Sequence, residues 1–166
     1  MDEGVERHHT ATAYIVARGR TILLWHRGLR MWLPPGGHLE RNEDPVQGAL
    51  REAFEEAGLD VEVIPSRGVL RVERPLALPP PEVILIEDIV RPDQPFHQHI
   101  DHVYFTRAVG PVDFDVPIPH GPHQWVSLES LARAVALPAP DGTLVPVAED
   151  VRLLGIRAIE AAGGEP

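Results

Sequence analysis

Residues 44–58 carry a helix whose two ends are both marked in the sequence, and that helix limits what can surround it. Asp44 is suited to the N-cap, Pro45 to the first helical position, and Gln47 completes a capping-box pattern. Val46, Ala49, Leu50, Ala53, Phe54 and Ala57 recur at helical spacing, and Gly58 supplies the C-terminal stop. An apolar stripe of this kind must be buried against another layer. Strand candidates on both sides offer one. Residues 12–16 and 21–25 read as a hairpin turning at Gly19-Arg20, and a glycine- and proline-containing loop (Gly28, Pro34 to Gly37) leads into the helix. Beyond it, residues 61–65 lead into 68–73, and residues 82–90 and 101–109 carry dense Val, Ile, Tyr and Phe runs. Residues 91–99 and the proline-rich stretch 111–122 read as loops. A short strand at 125–126, a Ser127-capped helix over 128–136, an Asp141-Gly142 turn and a last helix over about 146–162 complete the chain. There is no internal repeat and no linker. The expectation is one mixed-sheet α/β domain spanning residues 1–166.

Composition narrows the chemistry. A formal net charge of -10 argues against a duplex nucleic-acid binder, which needs a basic face for phosphates. A small phosphate ester still fits an acidic protein if metal ions supply positive charge. With 0 cysteines, disulfides, thiol catalysis and cysteine-ligated zinc are excluded. The sequence holds no lysine, which removes Schiff-base mechanisms and a phosphate-loop lysine. The acidic first residues do not read as a signal peptide, and no apolar run reaches membrane-spanning length, so a cytoplasmic protein without a membrane partner is expected.

The polar side of the helix is the chemically informative part. Glu52, Glu55 and Glu56 fall in one sector, opposite the apolar stripe, being related by i+3 and i+4. Solvated helix faces are often acidic, and that is the ordinary explanation of such a cluster. Here, however, Glu52 and Glu56 are a like-charge i,i+4 pair, and no cation is expected at the i+4 positions. They also lie toward the helix C-terminus, where the helix dipole disfavours anions. Unpaired carboxylates at this density suit hard cations such as Mg²⁺ or Mn²⁺.

Gly37, five residues, Glu43, seven residues, then Arg51-Glu52-Ala53-Phe54-Glu55-Glu56-Ala57-Gly58-Leu59 resembles the Nudix box. Only the small Ala53, in an aliphatic slot, is a soft match. Trp32-Leu33-Pro34-Pro35-Gly36-Gly37-His38-Leu39-Glu40 resembles the usual approach to that box, and the order of strands and the entry to the late helix at Trp125 are also similar. The resemblance implies an α/β/α sandwich around a mixed sheet. It implies Mg²⁺- or Mn²⁺-dependent hydrolysis, by an attacking water, of a nucleoside diphosphate linked to another moiety: a nucleoside triphosphate, a dinucleoside polyphosphate, ADP-ribose or a nucleotide sugar. Glu52, Glu55 and Glu56 would ligate metal, with a carbonyl of Gly36 or Gly37 as a further donor. Glu52 would orient or deprotonate the water, although some relatives place the base on a later loop. Arg51 and Glu43 would hold the loop and carboxylates in register. A homodimer is compatible with the family. A nucleotide-sensing module without turnover is the alternative, but such proteins typically lose box glutamates, and all four are kept here. An isoprenoid-diphosphate isomerase of related fold would need a cysteine.

Other residues have weaker claims. His97, His99 and Asp101 alternate and share one face of an extended segment, a pattern able to hold a transition metal but more ordinarily a pocket wall. His97 and His99 are substrate-contact candidates. So are Arg27, Arg71, Arg74 and Glu40, and Glu40 is also a candidate for the metal shell, whereas surface arginines usually contact no substrate. His38 is expected to face solvent. Trp32, Tyr104, Phe105 and Trp125 are expected in the core, with base stacking the alternative. Glu87 and Asp88 read as edge-strand charge, with a further metal ligand or base the alternative. His120 and His123 stand where many relatives carry an acidic group, and their roles stay open.

Overall fold

The computed structural model describes residues 4–65, 70, 72–92 and 94–163. Its centre is β1 (Arg7–Ala17), which turns through Arg18 and Gly19 into β2 (Arg20–His26). The pairs Val16↔Thr21 and Ala17↔Arg20 leave a two-residue turn with φ of 44° and 69°, the left-handed geometry a tight hairpin demands. The turn therefore sits one residue earlier than Gly19-Arg20. Two short strands follow within the expected loop: β3 (Met31–Leu33), paired to β2, and β4 (Gly36–His38), paired to β1 through Thr10↔His38 to Thr12↔Gly36. They escape a sequence reading because three residues show no period, and two of β4's three are glycines.

The expected helix is α1 (Pro45–Ala57). Asp44 and Gln47 form the reciprocal capping box, and Gly58 closes it at φ 69°. Then come β5 (Val61–Val63), β6 (Val83–Ile89), and a long β7 (His97–Ala108) that begins four residues before the expected 101. β7 runs parallel to β1 from Arg7↔Gln98 to Val16↔Arg107, while β5 and β6 pair antiparallel with its other edge. The chain ends in β8 (His123–Ser127), the short α2 (Leu128–Ala132) capped by Ser127, the β9/β10 hairpin (Leu137–Pro138, Leu144–Val145) and α3 (Glu149–Ala161). α2 stops well before 136; Arg133 is its C-cap and Ala134 takes positive φ. Of the expected strand 68–73, residues 68, 69 and 71 lie outside the described residues, and 70, 72 and 73 are not in a strand. None of the described helices is long and apolar enough to cross a membrane.

Strand alternation sorts β1 between two cores, as a period of two requires. Ala11, Ala13 and Ile15 face α1, together with Ile22, Leu24 and Tyr104. Tyr14 and Val16 face the other layer, where Leu131, Val151, Leu154, Ala158 and Ile159 of α2 and α3 cover Leu23, Trp25 and Phe105. The result is the expected α/β/α sandwich on a mixed sheet. On α1 the buried residues are small: Gly48, Ala49, Ala53 and Ala57. Facing Ala11 and Ala13, they let the helix approach the sheet closely. Phe54 is not part of this stripe; it is 58% exposed. Trp32, Tyr104 and Phe105 are buried as expected.

Candidate active site

Because α1 lies so close to the sheet, Glu52 and Glu56 do not project from an opposite, solvated face. They flank the alanine stripe and are carried against β4. Side-chain exposure falls to 12% for Glu52 and 24% for Glu56, whereas Glu55 keeps 56%. Glu56 Oε2 accepts the Gly36 N–H at 3.0 Å. A Cβ on Gly37 would lie 2.3 Å from Glu52 Oε1, so glycine is what admits the carboxylate there.

The cluster is not without a cation, contrary to the i+4 expectation. Arg51 precedes Glu55 by four residues and donates to it at 3.1 Å, and to Glu52 Oε1 at 2.8 Å. Its fork closes on Glu43 with Nε–Oε1 and Nη2–Oε2 both at 2.9 Å, and Nη2 also donates to the His38 carbonyl at 3.0 Å. Glu43 in turn accepts the Glu40 N–H at 2.8 Å. One guanidinium thus ties the loop before α1, the end of β4 and two helix carboxylates together, which planar bidentate geometry makes possible. Its hydrogen bonds hold the Glu43 carboxyl below the ordinary carboxylate range, and they raise Arg51 itself. One arginine still faces four glutamates, so anionic charge is in surplus. Burial pushes the Glu56 carboxyl up, with neighbouring Glu52 adding to the shift. His120, whose role the sequence left open, faces Glu56 Oε1 through Nδ1 at 3.0 Å, and its N–H donates to the Glu56 carbonyl.

Behind β4 lies a cavity of about 380 Å³ that starts at Gly36, Gly37 and His38 and extends across β1, β6 and β7 to α3. Its walls carry apolar side chains such as Leu33, Leu85 and Val103, and ionisable ones: Glu87, Arg91, His99 and Asp101. Asp101 is buried and accepts from Thr10 Oγ1 at 2.9 Å. Glu87, opposite His99 in the β6–β7 register, faces this cavity and is not plain edge charge; burial and the nearby Asp101 raise it to about 7. Burial, then the neighbouring imidazoles, lower His99 to about 4. Arg91 and His26 also line the cavity, and no sequence pattern singles them out. A separate cavity of about 320 Å³ by the β1–β2 turn holds none of the carboxylates.

The other candidates divide. His99 lines this cavity, whereas His97 is buried next to it, its ring 5.3 Å from that of His99, and is not part of the lining. Arg27, Arg74 and Glu40 are exposed, and Glu40 meets the cluster only through its backbone. Arg71 lies outside the described residues. Asp88 faces away and accepts from Gln98 at 2.8 Å. His123 bonds the Gly121 carbonyl, and Trp125 stacks on Phe114 with ring centroids 4.7 Å apart.

A NUDIX domain model matches residues 6–147. Phosphatase NudJ of Shigella boydii is 25% identical over 142 residues, 80% of this chain and 76% of that protein. The m7GpppN-mRNA hydrolase NUDT17 of Homo sapiens is 42% identical over 48 residues, so the match spans 29% of this chain but only 14% of that relative. Among solved structures, a NUDIX-family hydrolase from Clostridium perfringens is 26% identical and superposes with a TM-score of 0.67, covering 95% of this chain and 99% of that one. With the family model spanning most of its length, and with the box residues gathered on α1 and β4, the chain belongs to the NUDIX-domain family.

Proposed function

We propose that this protein hydrolyses the pyrophosphate bond of a small nucleoside-diphosphate derivative with Mg²⁺ or Mn²⁺ as cofactor. The observation that carries the reading is the pair Glu52 and Glu56, half-buried against Gly36 and Gly37 of β4, two positions with no side chain to exclude the carboxylates. All the oxygen donors here are hard: the carboxylates of Glu52, Glu55 and Glu56 and the carbonyls of Gly36 and Gly37. This set fits Mg²⁺ or Mn²⁺ and not a soft metal. When bound, such ions polarise phosphoryl oxygens and offset the charge of the leaving group.

The chain's own residues supply the rest. Arg51 and Glu43 keep the glycine strand and the carboxylates in fixed relation. Glu52 accepts the proton of an attacking water or orients it. His120 sits on Glu56 and tunes its charge. The cavity behind β4 takes the moiety joined to the diphosphate, with Arg91 as a cation within reach of an anionic group.

Relatives support the class of reaction: one is called a phosphatase and another an m7GpppN-mRNA hydrolase. A screen of nucleoside triphosphates, dinucleoside polyphosphates, nucleotide sugars, ADP-ribose and NADH, with Mg²⁺ and Mn²⁺ and phosphate-coupled detection, identifies the substrate. Glu56→Gln should abolish turnover while leaving the circular-dichroism spectrum unchanged. Undiminished turnover in that variant refutes the reading. Nucleotides that raise the melting temperature without being cleaved favour the sensing module instead.

A further inference from the structure

We propose that His8, His97 and His99, with His38 as the fourth ligand, form a second metal site that takes a borderline transition ion of the Zn²⁺ class. The site is distinct from the carboxylates of α1. One nitrogen from each of His8, His97 and His99 lies within 4.8 Å of the other two. The His38 ring stands 4.7 Å from His99 and 5.4 Å from His8, centroid to centroid. Three separate strands deliver these rings: β1, β4 and β7. The register pairs His8 with His99 across β1 and β7, and β4 joins from the other edge of β1.

Two features of the cluster point to a ligand. The Nε2 of His99 is buried and has no hydrogen-bond partner among the described residues. A buried nitrogen left without a partner is destabilising, and a metal bond satisfies it. Two of the rings also have a hydrogen-bonded outer partner of the kind that orients metal-bound imidazole, Glu6 at 3.0 Å from His8 and the Pro95 carbonyl at 2.9 Å from His97 Nδ1, and the Glu87 carboxylate stands 3.9 Å from His99 Nδ1. The donors are nitrogens, which suit Zn²⁺, Ni²⁺ or Co²⁺ and not Mg²⁺. Tetrahedral Zn–N bonds of about 2.0–2.1 Å bring donor nitrogens to about 3.4 Å apart, so binding draws the three rings together by roughly an ångström. Because His38 follows Gly37, the ion fastens β4 to β7 beside Glu52. It is a structural clamp on the strand that the carboxylates lean on.

The test uses the full chain purified without a polyhistidine tag and stripped by chelator. Zn²⁺ affinity is read by competition with a chromophoric chelator, and Co²⁺ by the visible absorption of a tetrahedral complex. One Zn²⁺ per chain should bind with a dissociation constant below about 1 µM, unaffected by millimolar Mg²⁺. His99→Gln should weaken it by about 10-fold or more and abolish the tetrahedral Co²⁺ spectrum. His8→Gln serves as the second variant, because the His8 side chain is 37% exposed and its replacement should leave the fold intact. Glu56→Gln, which disables the hydrolytic site, should retain the Zn²⁺ site in full. Affinity weaker than about 1 µM, unchanged affinity in both histidine variants, or loss of the ion in Glu56→Gln overturns the proposal.

Discussion

Gly37→Ala separates placement of the Glu52 carboxylate from its mere presence. Gly37 is not among the residues with positive φ, so its backbone accepts alanine without strain. The added Cβ would stand 2.3 Å from Glu52 Oε1 and 2.8 Å from its Cδ. Ordinary contact requires the carboxylate to retreat by about 1 Å, which stretches its 2.8 Å bond to Arg51 Nη1. A charge-assisted hydrogen bond of this kind contributes about 1.5–3 kcal/mol. Glu52 is the flexible end of a side chain and keeps part of that bond, so the expected loss of stability is about 1 kcal/mol. The effect on turnover is larger, since a 1 Å misplacement at a reacting centre costs about 10²-fold, or about 2.7 kcal/mol of barrier. Urea denaturation followed by tryptophan fluorescence gives the first quantity, and kcat with saturating Mg²⁺ the second. Gly36→Ala is the contrasting variant. Its Cβ would meet the Ala11 carbonyl at 2.9 Å and Thr12 Cα at 3.1 Å, both backbone atoms of β1 that cannot swing away. It should lose about 2–3 kcal/mol of stability, as overpacked interiors do. Wild-type kcat in Gly37→Ala would show that the position of Glu52 against β4 does not matter to the reaction.

Three further outcomes follow from the same geometry. Arg51→Lys keeps the charge but loses the fork onto Glu43 and the bond to the His38 carbonyl, and should cost about 2 kcal/mol in urea melts and at least 10-fold in kcat. Ala53→Ile overfills the seam between α1 and β1, where Ala53 is fully buried; stability should fall by about 1–3 kcal/mol and kcat with it, because the helix carries the glutamates away from β4. Glu87 binds its proton more tightly in the folded chain, at about 7 against an ordinary 4.5, so its contribution to stability falls as pH rises from 4.5 to 7 and stays low above that. Glu87→Gln should therefore flatten the pH dependence in that window and raise stability at pH 8 by about 1 kcal/mol, a figure reduced for a side chain that keeps 41% of its exposure. Melting curves at pH 5 and pH 8 decide it.

Much was legible in the sequence by itself. Asp44, Pro45, Gln47 and Gly58 determined α1 almost to the residue, because capping is a local matter of one turn of chain. The central strands were legible because, covered on both faces, they read as dense apolar runs. The carboxylate cluster and its family resemblance came from spacing on one helix, which is again local. Tertiary structure decided everything that depends on what stands opposite. Glu52 and Glu56 are half-buried and not solvated because the alanines beneath them let α1 settle on β1, and the depth of that contact is not written in α1 alone. Arg51 emerged as the tie among four groups only when Glu43 and the His38 carbonyl were folded onto it. β4 is held as a strand by its pairing with β1, with almost no side chains to announce it. His8 and His38 joined His97 and His99 because a parallel pairing set residues 8 and 99 side by side, although they lie far apart along the chain, a proximity that no local pattern encodes.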